Sequence, residues 1–203
     1  MKRHVNHLII FLKYPQIGKV KTRLAKDIGD VKALNIYKLL VSSTLNKVQS
    51  TSFDISIYYT PKDKDKEVRK FIDFNDVNYY SQTGNNLGAR MLNAFSESFT
   101  AGYKKTIIIG TDCPDINYNT ISDTFNLLNN HDLVLGPATD GGYYLIGLCK
   151  ISIELFNNIE WSSDKVLKKT LNIANKLNFN YKLLDFRADI DTIADLNNHK
   201  YLF

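Results

Sequence analysis

Four cations crowd one short stretch of this sequence. Lys13-Tyr-Pro-Gln-Ile-Gly-Lys-Val-Lys-Thr-Arg23 places Lys13, Lys19, Lys21 and Arg23 around the turn formers Pro15 and Gly18, and a helical pattern follows. Cations so spaced can converge on phosphate oxygens, arginine bidentately, and a helix N-terminus behind them adds N–H donors. The stretch is not a P-loop, because Gly18-Lys19 runs into Val20 and the upstream glycine of that motif is missing. No GxGxxG occurs either, so a dinucleotide-binding fold has no support. A basic surface loop would share the same composition.

Aspartates form the complementary set. Asp112 and Asp115 lie in Gly110-Thr-Asp-Cys-Pro-Asp115, directly after the apolar run Thr106–Gly110. One or two carboxylates together with substrate phosphates is the usual way a protein holds Mg²⁺. Asp112 is the better metal candidate and Asp115 the better helix cap, while Cys113 reads as a small buried filler. Asp140-Gly141-Gly142 marks a tight turn, so Asp140 is a turn former, a metal ligand or a base for an incoming hydroxyl. Gly84, Asn86, Gly88 and Arg90 suit close contact with a polar ligand, or an ordinary capped helix start. Asp191 precedes a terminal helical segment and, taken alone, reads as its cap. The four histidines, His4, His7, His131 and His199, make no metal spacing and no base–nucleophile pair, and Trp161 reads as core.

Strands and helices must alternate to bring these groups together. Strand-like runs are Leu8–Leu12, Phe53–Thr60, Val77–Ser81, Thr106–Gly110, Leu133–Gly136, Tyr143–Leu148 and Tyr181–Phe186. Helical patterns cover Val31–Val48, Leu87–Phe99, Ile121–Leu128 and Asp164–Leu177, the last with a start signal in Ser162-Ser163-Asp164. The charged run 62–70 reads as the solvated start of a surface helix. This alternation predicts an α/β layer structure with a mainly parallel sheet, interrupted by a hairpin-like excursion at Asp140. In such sheets ligands bind beyond the carboxyl ends of the strands, which is where the basic loop and the aspartates fall.

Composition narrows the class. At 203 residues, 44% hydrophobic and 12% aromatic, the chain suits one packed domain over residues 1–203. No apolar run approaches the ~20 residues of a membrane span, nothing resembles an export signal, and two cysteines make neither a disulfide scaffold nor a zinc site. A cytoplasmic protein is expected. The net charge of +5 is modest, but residues 1–26, including Lys2, Arg3 and Lys26, contain no acid. A basic start and later aspartates beside turns suit an anionic ligand and its metal. Nucleic-acid binding is not expected, since no basic helix or aromatic platform accompanies the charge.

The segments FLKYPQIGKVKTRLA, QTGNNLGARM, IIIGTDCPDI, LVLGPATDGGYYLIGL and DIDTIADL, in that order over nearly the whole chain, resemble a bacterial family. These are the small GT-A-type glycosyltransferase-like proteins found near radical-SAM and selenium-related genes, some assigned to arsenosugar biosynthesis. The pattern is more distantly similar to 2-phospholactate and molybdenum-cofactor guanylyltransferases. The resemblance implies a three-layer, mainly parallel nucleotide-diphospho-sugar transferase fold with a nucleotide in the cleft and Mg²⁺ or Mn²⁺ on its phosphates. It implies phosphate contacts from Lys13, Lys21 and Arg23, metal coordination by Asp112 and Asp191, and an acceptor side lined by Gly141 and Gly142. One departure from sugar-activating nucleotidyltransferases is the first loop, which carries only Gly18 rather than a glycine-rich run. The first expectation is a metal-dependent glycosyltransferase with a nucleotide-sugar donor and a small-molecule acceptor, Asp140 being the available base and Asn86, Gly88 and Arg90 contacting the nucleotide. The alternative is nucleotidyl transfer from a nucleoside triphosphate, with pyrophosphate as the leaving group. A third reading is a nucleotide-binding protein without chemistry.

Overall fold

A computed structural model describes residues 5–49, 52–72, 74 and 77–199; Lys2, Arg3 and His4 lie outside them. Seven strands form one sheet: β1 (Asn6–Lys13), β2 (Asp54–Thr60), β3 (Asn78–Ser81), β4 (Lys105–Ile109), β5 (Leu133–Pro137), β6 (Tyr143–Leu148) and β7 (Tyr181–Leu183). Their order is β3-β2-β1-β4-β6-β5-β7, and every pairing is parallel except those of β6, which runs against β4 and β5. The expected excursion is therefore the β5–β6 hairpin. At its tip Asp140 Oδ1 accepts the Gly142 N–H at 2.9 Å, and Gly141 takes φ +89°, a left-handed conformation that a side chain would strain.

The alternation of side chains along each strand divides the core in two. Leu8, Ile10 and Leu12 of β1 face one layer, and Ile9 and Phe11 face the other. The first layer contains α2 (Asp30–Val48), α3 (Asp65–Phe71) and α5 (Tyr118–Leu127), packed through Tyr37, Val41, Leu45, Val68, Ile121 and Phe125. The second contains α4 (Leu87–Thr100) and α6 (Val166–Lys176), packed through Met91, Ala94, Phe95 and Ala174. Burial on both faces explains why the central strands read as unbroken apolar runs. Two further short helices are α1 (Thr22–Ile28) after the basic loop and α7 (Ile193–Asn198) after the last strand. His7 is buried between Ser98 and Ser56, its ring nitrogens 2.7 and 2.8 Å from their hydroxyls. Among the described residues no helix is long and apolar enough to cross a membrane.

Three capping expectations are corrected. Asn117, not Asp115, caps α5, its Oδ1 accepting the Thr120 N–H at 3.1 Å; Asp115 stands two residues too early to reach the free N–H groups. Thr192, not Asp191, caps α7 in a reciprocal capping box with Asp195. Helix α6 starts at Val166 with no side-chain cap, because Ser162 turns out at φ +68° and Ser163 Oγ donates instead to the Glu160 carbonyl at 2.7 Å. Asp191 is turned instead toward Lys21, 3.0 Å away.

Candidate active site

A cleft of about 410 Å³ opens beyond the carboxyl ends of β1 and β4. Its walls include Lys13, Lys19 and Lys21 on the basic loop, Gln82 after β3, Asp112 after β4, Tyr143 and Tyr144 on β6, and Asp189 and Asp191 near the C-terminus. Sequence segments separated by most of the chain therefore meet where parallel α/β sheets bind ligands.

Each wall is fixed by its own local chemistry. The Tyr37 hydroxyl of α2 accepts the Lys13 N–H at 2.9 Å and donates to the Lys13 carbonyl at 2.8 Å, pinning the strand end from which the basic loop departs. Burial and then the nearby charge of Asp112 push the Tyr37 hydroxyl well above the ordinary tyrosine range, so it stays protonated for this task. Gln82 Nε2 donates to the carbonyls of Leu12 and Tyr58, tying the ends of β1 and β2 together. The C-terminal segment is fastened to the Asp112 loop by an Ile190 N–H to Asp112 carbonyl bond of 3.0 Å. Asp195 Oδ2 accepts the Asp191 N–H at 3.1 Å, so the α7 capping box also sets the direction in which Asp191 leaves the backbone.

The charged centre is a lysine held between carboxylates. Lys21 Nζ lies 2.6 Å from Asp112 Oδ1 and 3.0 Å from Asp191 Oδ1, and Arg23 Nη1 lies 3.7 Å from Asp191 Oδ2. The Lys21 side chain is only 3% exposed, yet its pKa is raised: burial alone would lower it, and the charges of Asp112 and Asp191 more than offset that. Lys21 adopts φ 48°, ψ 43° immediately before α1, a left-handed conformation uncommon for a residue with a side chain. Asp189 stands behind this group with Oδ1 buried and without a hydrogen-bond partner. Burial, followed by the charge of Asp112, pushes its carboxyl up to about 7.

The remaining expected site residues lie apart from the cleft walls. Asn86 caps α4, its Oδ1 accepting the Ala89 N–H at 2.9 Å. Arg90 donates to the Gly84 carbonyl at 3.2 Å and reaches Gln82 Oε1 at 3.4 Å, so it braces the cleft through Gln82. Gly88 packs against the Trp161 indole with no room for a Cβ, and Gly141 packs as tightly against the backbone of Asp164. Gly142 and Asp140 are joined in the hairpin turn. Gln82 and Tyr37 were not singled out by sequence, and Asp189, although it falls with Asp191 in a DxD after the last strand-like run, was given no role of its own.

The chain belongs to the DUF2064 family. That family is described as an uncharacterized protein conserved in bacteria, and its model matches residues 44–163, which hold Asp112 and the β5–β6 hairpin. This DUF2064 chain is 27% identical over 192 residues to a 2-phospho-L-lactate guanylyltransferase of Methanocaldococcus jannaschii, covering 92% of this chain and 80% of the relative. It is 23% identical over 193 residues to the guanylyltransferase of the same name from Methanocaldococcus vulcanius, covering 93% and 82%. A crystal structure from Desulfovibrio desulfuricans G20, described provisionally as a nucleotide-diphospho-sugar transferase, superposes with a TM-score of 0.91 at 32% identity. That match covers 96% of this chain and 85% of the other. The expected nucleotide-diphospho-sugar transferase fold is the fold found, and the relatives are transferases. The two guanylyltransferases are named for nucleotidyl transfer, which favours the alternative expectation over the glycosyltransferase.

Proposed function

We propose that this chain is a nucleotidyltransferase that moves a nucleoside monophosphate from a triphosphate to a small acceptor and releases pyrophosphate. The observation that carries the reading is the cleft itself, which is lined by Lys13, Lys19 and Lys21 together with Asp112 and Asp191. The guanylyltransferase relatives support the reaction class. Lys13, Lys19 and Arg23 are exposed or line the cleft, and they hold the β- and γ-phosphates. The acceptor oxygen bonds to the α-phosphorus while the bond from that phosphorus to the α–β bridging oxygen breaks, and the electron pair leaves with pyrophosphate. The lysines that already line the cleft stabilise the charge gathering on that leaving group. An acceptor that attacks through a phosphate oxygen arrives ionised and requires no base, which leaves Asp140 to its turn.

Asp112 and Asp191 fit a divalent cation. Both are partly exposed to the cleft, so two carboxylates of the kind that hold Mg²⁺ or Mn²⁺ face it. Among the described residues no three acids, histidines or cysteines form a ready ligand set, which leaves coordination positions to be filled by substrate phosphates. Such an ion supplies neutralisation of phosphate charge when bound.

Glycosyl transfer is the second reading, favoured by the description of the Desulfovibrio desulfuricans G20 protein. The test is incubation with Mg²⁺ or Mn²⁺ and separate pools of nucleoside triphosphates and nucleotide-sugars, with mass spectrometry of the products. Pyrophosphate and a monophosphate from one triphosphate are expected, through slow transfer to water. Nucleoside diphosphate from one sugar donor would instead favour the glycosyltransferase, and absence of product from both pools counts against either reaction.

A further inference from the structure

We propose that Lys21 is a built-in counter-ion that holds Asp112 and Asp191 in place of the divalent cation, so that the cation binds this protein tightly only together with a polyphosphate ligand. The inference rests on the metal-assisted nucleotide chemistry above and adds a binding order to it. Its basis is the position of one ammonium: Lys21 Nζ is within 2.6 Å of Asp112 and 3.0 Å of Asp191, the two carboxylates that would ligate the ion.

Three features show that this placement is built rather than incidental. The Lys21 side chain is 3% exposed, whereas Asp112 and Asp191 are 43% and 37% exposed, so the lysine approaches from inside and leaves the carboxylates open to the cleft. Its backbone accepts a left-handed conformation of φ 48° to aim the side chain there, and strain of this kind persists where surrounding structure enforces it. Finally, Lys21 starts α1 through its carbonyl, which accepts the Ala25 N–H at 2.8 Å, so the backbone of the lysine is anchored while its flexible stem can turn.

A divalent ion and the ammonium cannot share these carboxylates closely, because like charges a few ångströms apart in a partly buried site repel strongly. Without another anion, Lys21 has nowhere to go, and burying it unpaired is costly. A bound polyphosphate removes the obstacle: it offers Lys21 new oxygens and supplies the ion with its remaining ligands. Polyphosphate and metal then raise each other's affinity by the same factor, as linkage requires.

The test is Mn²⁺ binding in the absence of nucleotide, read by the electron paramagnetic resonance signal of free Mn²⁺, for the natural protein, Lys21→Met and Lys21→Gln. Lys21→Gln keeps a neutral donor between the carboxylates if Lys21→Met folds poorly. Both variants should bind Mn²⁺ about tenfold or more tightly than the natural chain, inside the 5–150-fold range of ordinary site coupling. Mn²⁺ alone should also raise the melting temperature of the variants and not that of the natural protein. Lys19→Met removes a cleft cation that touches neither carboxylate, and it should change Mn²⁺ affinity far less. Unchanged affinity in both Lys21 variants, or an equal gain in Lys19→Met, overturns the proposal. Pyrophosphate release by the natural protein alongside unchanged Mn²⁺ affinity would sink this inference alone. Gained Mn²⁺ affinity without pyrophosphate from any triphosphate would sink the reaction assignment alone.

Discussion

Lys21 Nζ and Asp191 Oδ1 lie 3.0 Å apart although 170 positions separate them in the sequence. The contact closes the cleft between the first loop and the last segment, and both ends of it are held by other groups. Asp191 is oriented by its N–H bond to Asp195, and its segment is tied to the Asp112 loop through Ile190. A nucleotide entering this cleft meets a charge cluster whose backbone is already fixed, which leaves the turn of the Lys21 stem as the ordering that binding must supply.

The first prediction concerns the two carboxylates singly and together. Asp112→Ala or Asp191→Ala should each lower turnover by about 10²-fold or more, the scale of a lost electrostatic stabiliser, with only a small change in melting temperature. Each single variant still leaves Lys21 one anionic partner. The double variant leaves a buried ammonium without one, and should lose about 3–5 kcal/mol of stability, read by urea denaturation. Near-normal pyrophosphate release from either single variant, at matched fold content, would remove that residue from the site.

Gly88 carries the second prediction. A Cβ at this position would run into the Trp161 indole at the start of α4. Gly88→Ala should cost about 1–3 kcal/mol, as overpacked sites do, and lower the melting temperature. In a Trp161→Val background, which lacks the ring the new methyl meets, Gly88→Ala should cost much less than it does in the natural chain. An equal cost in both backgrounds would show that Gly88 serves something other than this packing contact.

Much of this architecture was legible before the structure because the central strands are apolar on both faces. Residues 8–12, 106–110 and 133–136 read as strands because each must be covered on both sides, and the turn at Asp140 announced the reversed strand β6. The helix starts were less legible, since Asp115, Asn117, Asp191, Thr192 and Ser163 are all competent caps. Only the backbone decides which of them stands one residue before the first helical turn. Lys13, Lys21, Asp112 and Asp191 could be singled out from type and position after strands. Asp189 could not be weighted, because its distinguishing property is burial beside Asp112, which arises from two segments folding together. Gly88 and Gly141 were read as room for a ligand, whereas Trp161 and the backbone of Asp164 occupy that room.

A third prediction uses pH at a site remote from the cleft. Asp132, just before β5, pairs with Lys150 at 2.9 Å and accepts the Asn180 N–H at 3.0 Å, joining the approaches to β5 and β7. Burial alone would raise its carboxyl, but the Lys150 ammonium and the Asn180 N–H hold it below the usual aspartate range. A depressed folded pKa means that the unfolded chain takes up the proton first as pH falls. The stabilisation is therefore fully present at neutral pH and is lost as pH drops below about 4 through the lower folded value. Asp132→Asn removes the charge and should cost about 1 kcal/mol at pH 7, kept small because Lys150 is half exposed and screened. The difference between Asp132→Asn and the natural chain should shrink toward pH 3 when both are followed by urea denaturation. A difference that stays constant from pH 7 to pH 3 would show that the amide fails through packing and that the ion pair contributes nothing to holding β7 at the sheet edge.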